Sequence, residues 1–352
     1  MNRRKFLLSS AVAAAGMAVA GKSEIMAFSR EKSFNGQVLI PPGLKAGSRV
    51  GLVSPAGSVS EKQVLESEAN LKNLGLIPVR GKHILEKFGY LAGGDKERAE
   101  DINSMFADET IQGLWCTRGG YGCSRMLDYI DFDLVAKNPK LLIGYSDITA
   151  LNYALFAKAG LISFSGPVGI STFDELSVSS VRQLLFSENK AEGYVIKGGT
   201  GTADEYKPMI INPGKAAGRL IGGNLSVLVS LTGTPYEPDY EDAVLFIEEV
   251  SEDPYRIDRM LTQLLLAGRL KKLKGIAAGI FTKCVSNEEK SGLSGSFSFR
   301  EVLTDRLKHL GIPAYYGFGF GHVSNKYTIP FGIRAELDAG EGTLTILENT
   351  VK

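Results

Sequence analysis

Residues 140–155, KLLIGYSDITALNYAL, change character at their centre. Apolar and small residues lead into Tyr145-Ser146-Asp147, and Ile148, Leu151, Tyr153, Ala154 and Leu155 then fall at roughly helical spacing. A serine at such a strand-to-helix turn has two chemistries open to it. It can cap the helix, its oxygen accepting from the N2 or N3 amide. Alternatively, it can be a nucleophile raised above a sheet edge, with the following amide helping to form an oxyanion hole. Gly144-Tyr145-Ser146-Asp147-Ile148 lacks the second glycine of G-x-S-x-G, so local spacing leaves the two readings balanced.

A nucleophilic serine needs a base, and the chain has only His83, His309 and His322. None stands at metal-ligand spacing from another His or a Cys, which excludes an H-E-x-x-H zinc peptidase and gives no reason to expect a metal. His83 beside an Ile-Leu pair and His309 beside Lys308 read as structural or solvated. His322 ends Gly317-Phe318-Gly319-Phe320-Gly321-His322, where glycines permit close backbone approach and can present one side chain without steric conflict. An acid could come from Leu245-Phe246-Ile247-Glu248-Glu249-Val250. Strand alternation sends the two carboxylates to opposite faces, and either is costly to bury unless it is paired.

Alternating strands and helices would position these groups. Strands are expected at 49–54, 77–79, 111–116 and 141–144, and helices at 61–74, 96–107, 124–130 and 147–159. Continuous apolar strands separated by amphipathic helices argue for a parallel sheet covered on both faces. The loops at 54–57, 118–122 and 145–147 all leave strand ends at the edge where such sheets carry function. Order weakens after 164–167, and 187–214 reads as a linker or irregular hairpin. A second unit starts near Gly218, with strands at 244–247 and 273–281, helices at 257–266 and 299–310, and a hairpin at 335–347. The expected organisation is an N-terminal α/β domain over 37–170, a linker region over 171–214 and a smaller mixed domain, richer in strand, over 215–352.

The 352 residues are 44% hydrophobic, enough for two filled cores, and a net charge of +1 gives no reason to expect a nucleic-acid partner. Residues 1–20 resemble a twin-arginine export signal, with Arg3-Arg4-Lys5 ahead of an apolar run and Ala18-Val19-Ala20 as a small-residue cleavage site. Their removal would take three positive charges and no acid, and no later run has the ~20 apolar residues of a membrane span. The expectation is an exported protein of the periplasm or cell envelope, with an uncleaved anchor as the weaker alternative. Gly16 to Ser23 satisfies G-x-x-x-x-G-K-S, but without a preceding strand or following helix it is read as a decoy. Cys116, Cys123 and Cys284 are too few for a disulfide framework, and a Cys116–Cys123 bridge is not expected.

Five ordered motifs resemble those of the LD-carboxypeptidases. They are Gly144-Tyr145-Ser146-Asp147-Ile148-Thr149-Ala150-Leu151, Gly218-Arg219-Leu220-Ile221-Gly222-Gly223-Asn224-Leu225, Phe246-Ile247-Glu248-Glu249-Val250, Pro254-Tyr255-Arg256-Ile257-Asp258-Arg259 and Gly319-Phe320-Gly321-His322. This serine peptidase family includes muramoyltetrapeptide carboxypeptidase and the microcin C immunity peptidases, and the similarity runs from about Gly43 to the C-terminus. The resemblance implies a doubly wound, mostly parallel N-terminal sheet, a C-terminal swivelling β-rich α/β domain and a Ser146-Glu248-His322 triad without a cofactor.

Within that frame, oxyanion donors are expected from the Asp147 amide and an amide of the Gly119-Gly120 turn, taken as Gly120. Arg118 is the expected contact for the substrate's terminal carboxylate, with Asn224 as a further substrate contact. The implied reaction releases D-alanine from murein tetrapeptides, and a homodimer is the implied assembly. Ser165 stands before Gly166-Pro167 where many members carry His, which bears on fine specificity. A peptidase acting on aminoacyl or peptidyl nucleotide toxins and a non-catalytic peptidoglycan-peptide binder are the alternatives. Trp115 in an expected strand gives the former no clear base-stacking group.

Overall fold

The computed structural model describes residues 37–199, 204–286 and 295–352. The twin-arginine segment and the decoy glycine-lysine stretch lie outside them. Among the described residues no helix is long and apolar enough to cross a membrane.

The first sheet is built from β1 (Arg49–Val53), β2 (Ile77–Arg80), β3 (Gly113–Cys116), β4 (Leu141–Ile143) and β5 (Ser163–Ser165), in parallel order β2-β1-β3-β4-β5. Helices α1 (Glu61–Asn73), α2 (Asp95–Ala107), α3 (Cys123–Met126), α4 (Phe132–Lys137) and α5 (Thr149–Ala159) intervene. Every residue of β3 and β4 is buried, which is why these strands read as unbroken apolar runs. A capping box starts α1, Gln63 and Ser60 bonding each other's side chains and amides. Strand order reverses between β1 and β3, so the crevice at their carboxyl ends is where ligands bind in such sheets.

The region expected as a linker is more structured than its composition suggests. It contains α6 (Glu175–Leu185), β6 (Val195–Lys197) and β7 (Met209–Asn212), and the two strands form opposite edges of the second sheet. Each buries a single residue, too little for an alternating pattern to show in sequence. Between those edges run β8 (Lys215–Asn224), β9 (Ala243–Val250), β10 (Gly275–Thr282), β11 (Ala314–Tyr316), β13 (Arg334–Asp338) and β14 (Thr343–Ile346), while β12 (Ile329–Phe331) leaves this sheet altogether. The order is β6-β14-β13-β8-β9-β10-β11-β7, with a parallel centre from β8 to β11 and antiparallel flanks. Helices α7 (Leu225–Ser230), α8 (Pro254–Leu266) and α9 (Phe299–Leu307) complete this half.

The two sheets are tied together near Ser146. β12 crosses back to pair antiparallel with β5, and Phe331 sets its ring against Tyr153 and Phe156 of α5 and Phe246 of β9, at centroid distances of 5.3, 5.6 and 6.2 Å. Beside this contact the Asn224 amide, at the end of β8, donates to Thr149 Oγ1 at 3.0 Å in the first turn of α5. Cys116, Cys123 and Cys284 are buried free thiols.

Two features of this seam carry stability. At Gly222 φ is +144°, and an added Cβ would lie 1.7 Å from the Phe246 carbonyl oxygen of the neighbouring strand. Glu249, at the end of β9, is buried and accepts from Asn224 Nδ2 at 3.0 Å, the Ser226 amide at 2.8 Å and the Val250 amide at 2.8 Å. Burial first, and Glu248 beside it, push its pKa from 4.5 up to about 7 against the pull of those donors.

Gly222→Ala is therefore expected to cost about 4 kcal/mol or more, read as loss of soluble protein or a collapse of the denaturant midpoint. A carboxyl whose folded pKa is raised favours the fold in its protonated form. That contribution is full below about pH 4.5 and is lost as pH rises through about 7. The wild-type melting temperature should accordingly fall more between pH 5 and pH 8 than that of Glu249→Gln. Equal falls would remove Glu249 as the cause.

Candidate active site

The Ser146 turn is built by three short steps. β4 ends at Ile143, Gly144 donates its amide to the Phe164 carbonyl at 3.0 Å, and a single 3-10 turn, Ser146–Ile148, feeds into α5. Ser146 has φ +66°, a left-handed conformation that costs a non-glycine residue energy and is tolerated where the surroundings fix it. The second glycine missing from the sequence pattern is Ile148, whose side chain packs directly over Gly144. Ser146 lies inside the turn, and its Oγ is 3.0 Å from His322 Nε2 instead of capping an amide. The cap reading is thus set aside by geometry.

His322 sits on the segment that leaves the second sheet after β11 and enters the first as β12. Its Nδ1 is 2.7 Å from Glu248 Oε2, the carboxylate that β9 aims at this face while Glu249 points to the start of α7. An ionised Glu248 accepts at Nδ1, so that nitrogen carries the proton and Nε2 is left to accept from Ser146. The close approach requires glycine at 321, where φ is +105° and an added Cβ would lie 2.7 Å from Glu248 Oε2. The other Glu248 oxygen is buried without a protein hydrogen bond, which leaves the carboxylate directed at the imidazole.

The glycine turn after β3 closes over the serine. An added Cβ at Gly119 would come within 2.9 Å of Ser146 Cβ and 3.2 Å of Oγ, so only glycine lets this backbone lie against the nucleophile position. The Asp147 carboxylate accepts the Cys123 amide at 2.8 Å and anchors the far end of that turn. Burial, the largest influence, pushes its pKa upward against the Cys123 donor. The Asp147 and Gly120 amides therefore belong to two segments pinned to each other beside Oγ.

Arg118 donates from Nη1 to the Ser58 carbonyl at 3.2 Å and from Nε to the Gly119 carbonyl at 3.2 Å. It braces the loops after β1 and β3 through backbone oxygens, not through the inter-loop ion pair that is the usual structural use of an arginine. Asn224 lies deeper. At 4% exposure it spends its side chain on Glu249, Ser226 Oγ and the Val227 amide, where it caps α7. It thereby supports the acidic strand end.

Sequence reasoning passed over two cations. Arg98, 2% exposed, donates to the carbonyls of Pro55, Gly93 and Gly122 and pairs with Asp95, so one guanidinium clamps three loops at the crevice. Its signal was present, since Arg98, Ile102 and Met105 share the buried face of α2. Lys326, 4% exposed, lies 4.1 Å over the ring of Tyr145, whose edge meets His322 at 4.9 Å. Burial lowers its pKa to about 8, with Glu248 and Asp174 opposing. Nothing in the spacing around Lys326 announces that burial. His83 bonds Glu86 at 2.6 Å, away from this cluster.

Comparison with known proteins bears on both halves of the chain. Residues 50–166 match the model of the LD-carboxypeptidase N-terminal domain, and 217–337 that of the LD-carboxypeptidase C-terminal domain. A Bacillus subtilis protein named "Probable murein peptide carboxypeptidase" is 38% identical over 312 residues, 87% of this chain and 93% of its own. The microcin C7 self-immunity protein MccF, solved with glutamyl sulfamoyl guanosine, superposes with a TM-score of 0.79 at 26% identity, over 89% of this chain and 100% of its own. Muramoyltetrapeptide carboxypeptidase from Oxalobacter formigenes gives 0.71 at 28% identity, over 84% and 97%. With both of its halves matched, and with a serine, a histidine and a glutamate in one hydrogen-bonded line, the chain belongs to the LD-carboxypeptidase family of serine peptidases.

Proposed function

We propose that the protein is a serine carboxypeptidase that cleaves the L,D peptide bond before the terminal D-alanine of murein tetrapeptides, in peptidoglycan turnover or remodelling. The observation that carries this reading is the line Ser146 Oγ, His322, Glu248, at 3.0 and 2.7 Å. His322 Nε2 takes the Ser146 proton as Oγ attacks the carbonyl of the third residue, and Glu248 stabilises the imidazolium. The amides of Asp147 and Gly120 receive the oxyanion. The imidazolium then gives its proton to the departing amine of D-alanine, and a water activated by the same base hydrolyses the ester and restores Ser146. Each oxyanion donor in such a hole is worth ~2.7 to 4 kcal/mol.

Arg118 is the guanidinium nearest the oxyanion turn, and donors beyond its two backbone contacts can fork onto a terminal carboxylate. Asn224 acts in this reading by holding Glu249 and the end of β8. The only tryptophan, Trp115, is buried in β3 and donates to the Pro167 carbonyl at 2.8 Å, so no indole is available to stack on a nucleobase. This supports a murein peptide over a nucleotide-linked substrate. The arginine pair and apolar run at the N-terminus support action in the cell envelope.

Incubating the mature protein with murein tetrapeptide should release D-alanine. Ser146→Ala is expected to lower kcat by about 10^4- to 10^6-fold, and Glu248→Gln by about 10^4-fold. Release undiminished in Ser146→Ala would rule out the nucleophile. Binding of the tetrapeptide by wild type with no release would point to a non-catalytic binder, and cleavage of an aminoacyl sulfamoyl nucleoside alone would point to the toxin-directed activity.

A further inference from the structure

At the glycine turn after β3, a cavity of about 450 Å³ is lined by Gly57, Ser58, Lys87, Tyr90, Arg118 and Tyr121, among others. Its lining includes Arg118 and Gly120, the neighbours in sequence of Gly119, which lies against Ser146. Its walls are three loops, and all are held in place. The Ser58 amide donates to the Tyr90 carbonyl at 3.4 Å, the Ala92 amide to the Ala56 carbonyl at 3.0 Å, and Arg98 grips the same loops from beneath.

The chemistry of these walls is specific. Lys87 is exposed and Arg118 bonds only backbone oxygens, and among the described residues no carboxylate pairs with either. Two unneutralised cations in the lining of one cavity suit an anion. In the same lining, Tyr90 is 67% and Tyr121 50% exposed, with ring centroids 5.8 Å apart at 59°. Two large aromatic rings left open at a cavity mouth form an apolar wall that lacks a partner within the chain.

Position then limits what the anion is. In a C-terminal residue the carboxylate lies one residue length, ~3.8 Å between Cα atoms, beyond the scissile bond. A cavity whose lining includes Arg118 and Gly120 adjoins the turn against Ser146, where that carboxylate and the residue bearing it would lie. A space of about 450 Å³ falls in the range of pockets for small-molecule ligands and is several times the volume of an alanine.

We propose that this cavity is the leaving-residue subsite, in which Arg118 and Lys87 hold the terminal carboxylate and the Tyr90–Tyr121 wall receives a side chain much larger than methyl. The substrate class is then peptides ending in a D-amino acid with an aromatic or long apolar side chain, as well as in D-alanine. This rests on the carboxypeptidase reading above and deepens it. The bond broken and the residues that break it are unchanged, and only the released amino acid differs.

The test compares tetrapeptides that differ only in the last residue, D-alanine or D-phenylalanine, by kcat/KM for the released amino acid. Wild type should cleave the D-phenylalanine peptide within about tenfold of the D-alanine peptide. Tyr121→Ala and Tyr90→Ala should each lower the D-phenylalanine to D-alanine ratio by about tenfold, a change in preference that general damage to the fold would not produce. Lys87→Met should raise KM for both peptides and narrow the gap between a free and an amidated C-terminus. Cleavage of the D-alanine peptide with none of the D-phenylalanine peptide, or tyrosine variants that lower both rates in equal proportion, would overturn the subsite while leaving the carboxypeptidase reading intact. Cleavage of neither peptide would remove both.

Discussion

A 3.0 Å contact between His322 Nε2 and Ser146 Oγ joins residues 176 positions apart, carried by different sheets. That contact exists only if the two sheets hold a fixed relation, because a displacement of one ångström would break a hydrogen bond of this length. The seam supplies the constraint. Phe331 packs between α5 and β9, β12 extends the first sheet with a strand from the C-terminal half, and the Asn224 amide reaches Thr149 one turn beyond the serine. His322 rides on the chain that makes this crossing, so the base is positioned by both sheets at once.

The polar groups around the site divide into those aimed at the reaction and those that hold others in place. Glu248 and Glu249 are adjacent in sequence and almost equally buried, yet the period of a strand gives one to the imidazole and the other to the start of α7. Asp147 and Arg98 perform comparable work on the first sheet, one taking the Cys123 amide and the other collecting carbonyls from three loops. A buried ion or dipole is costly without partners. Here those partners are the backbone of the catalytic loops, so the requirement to satisfy buried charge also fixes loop geometry.

Much of this was legible along the chain. Parallel strands buried on both sides leave continuous apolar runs, and β1, β3, β4, β9 and β10 were visible as such. The turn at Ser146 and the glycine-cleared His322 were visible from residue type. Edge strands β6 and β7 were not, since three or four residues with one buried position carry no readable period. The placement of β12 was equally hidden, because a strand's own sequence does not name the sheet it joins.

The sequence by itself determined four strands of the first sheet, β1 to β4, the shortage of histidine that excluded a zinc peptidase, and a short set of groups able to act on a peptide bond. It did so because period, polarity and turn chemistry are local. The turn at Ser146 alone left cap and nucleophile balanced until distant motifs favoured the nucleophile, the spacing of Glu248 and Glu249 left them undivided, and Asn224 was read as a substrate contact. The hydrogen-bond partner of each was decided by the tertiary structure, since it depends on which distant atom lies within about 3 Å. For Ser146 it was His322, for Glu248 the other nitrogen of that ring, and for Asn224 the carboxylate of Glu249.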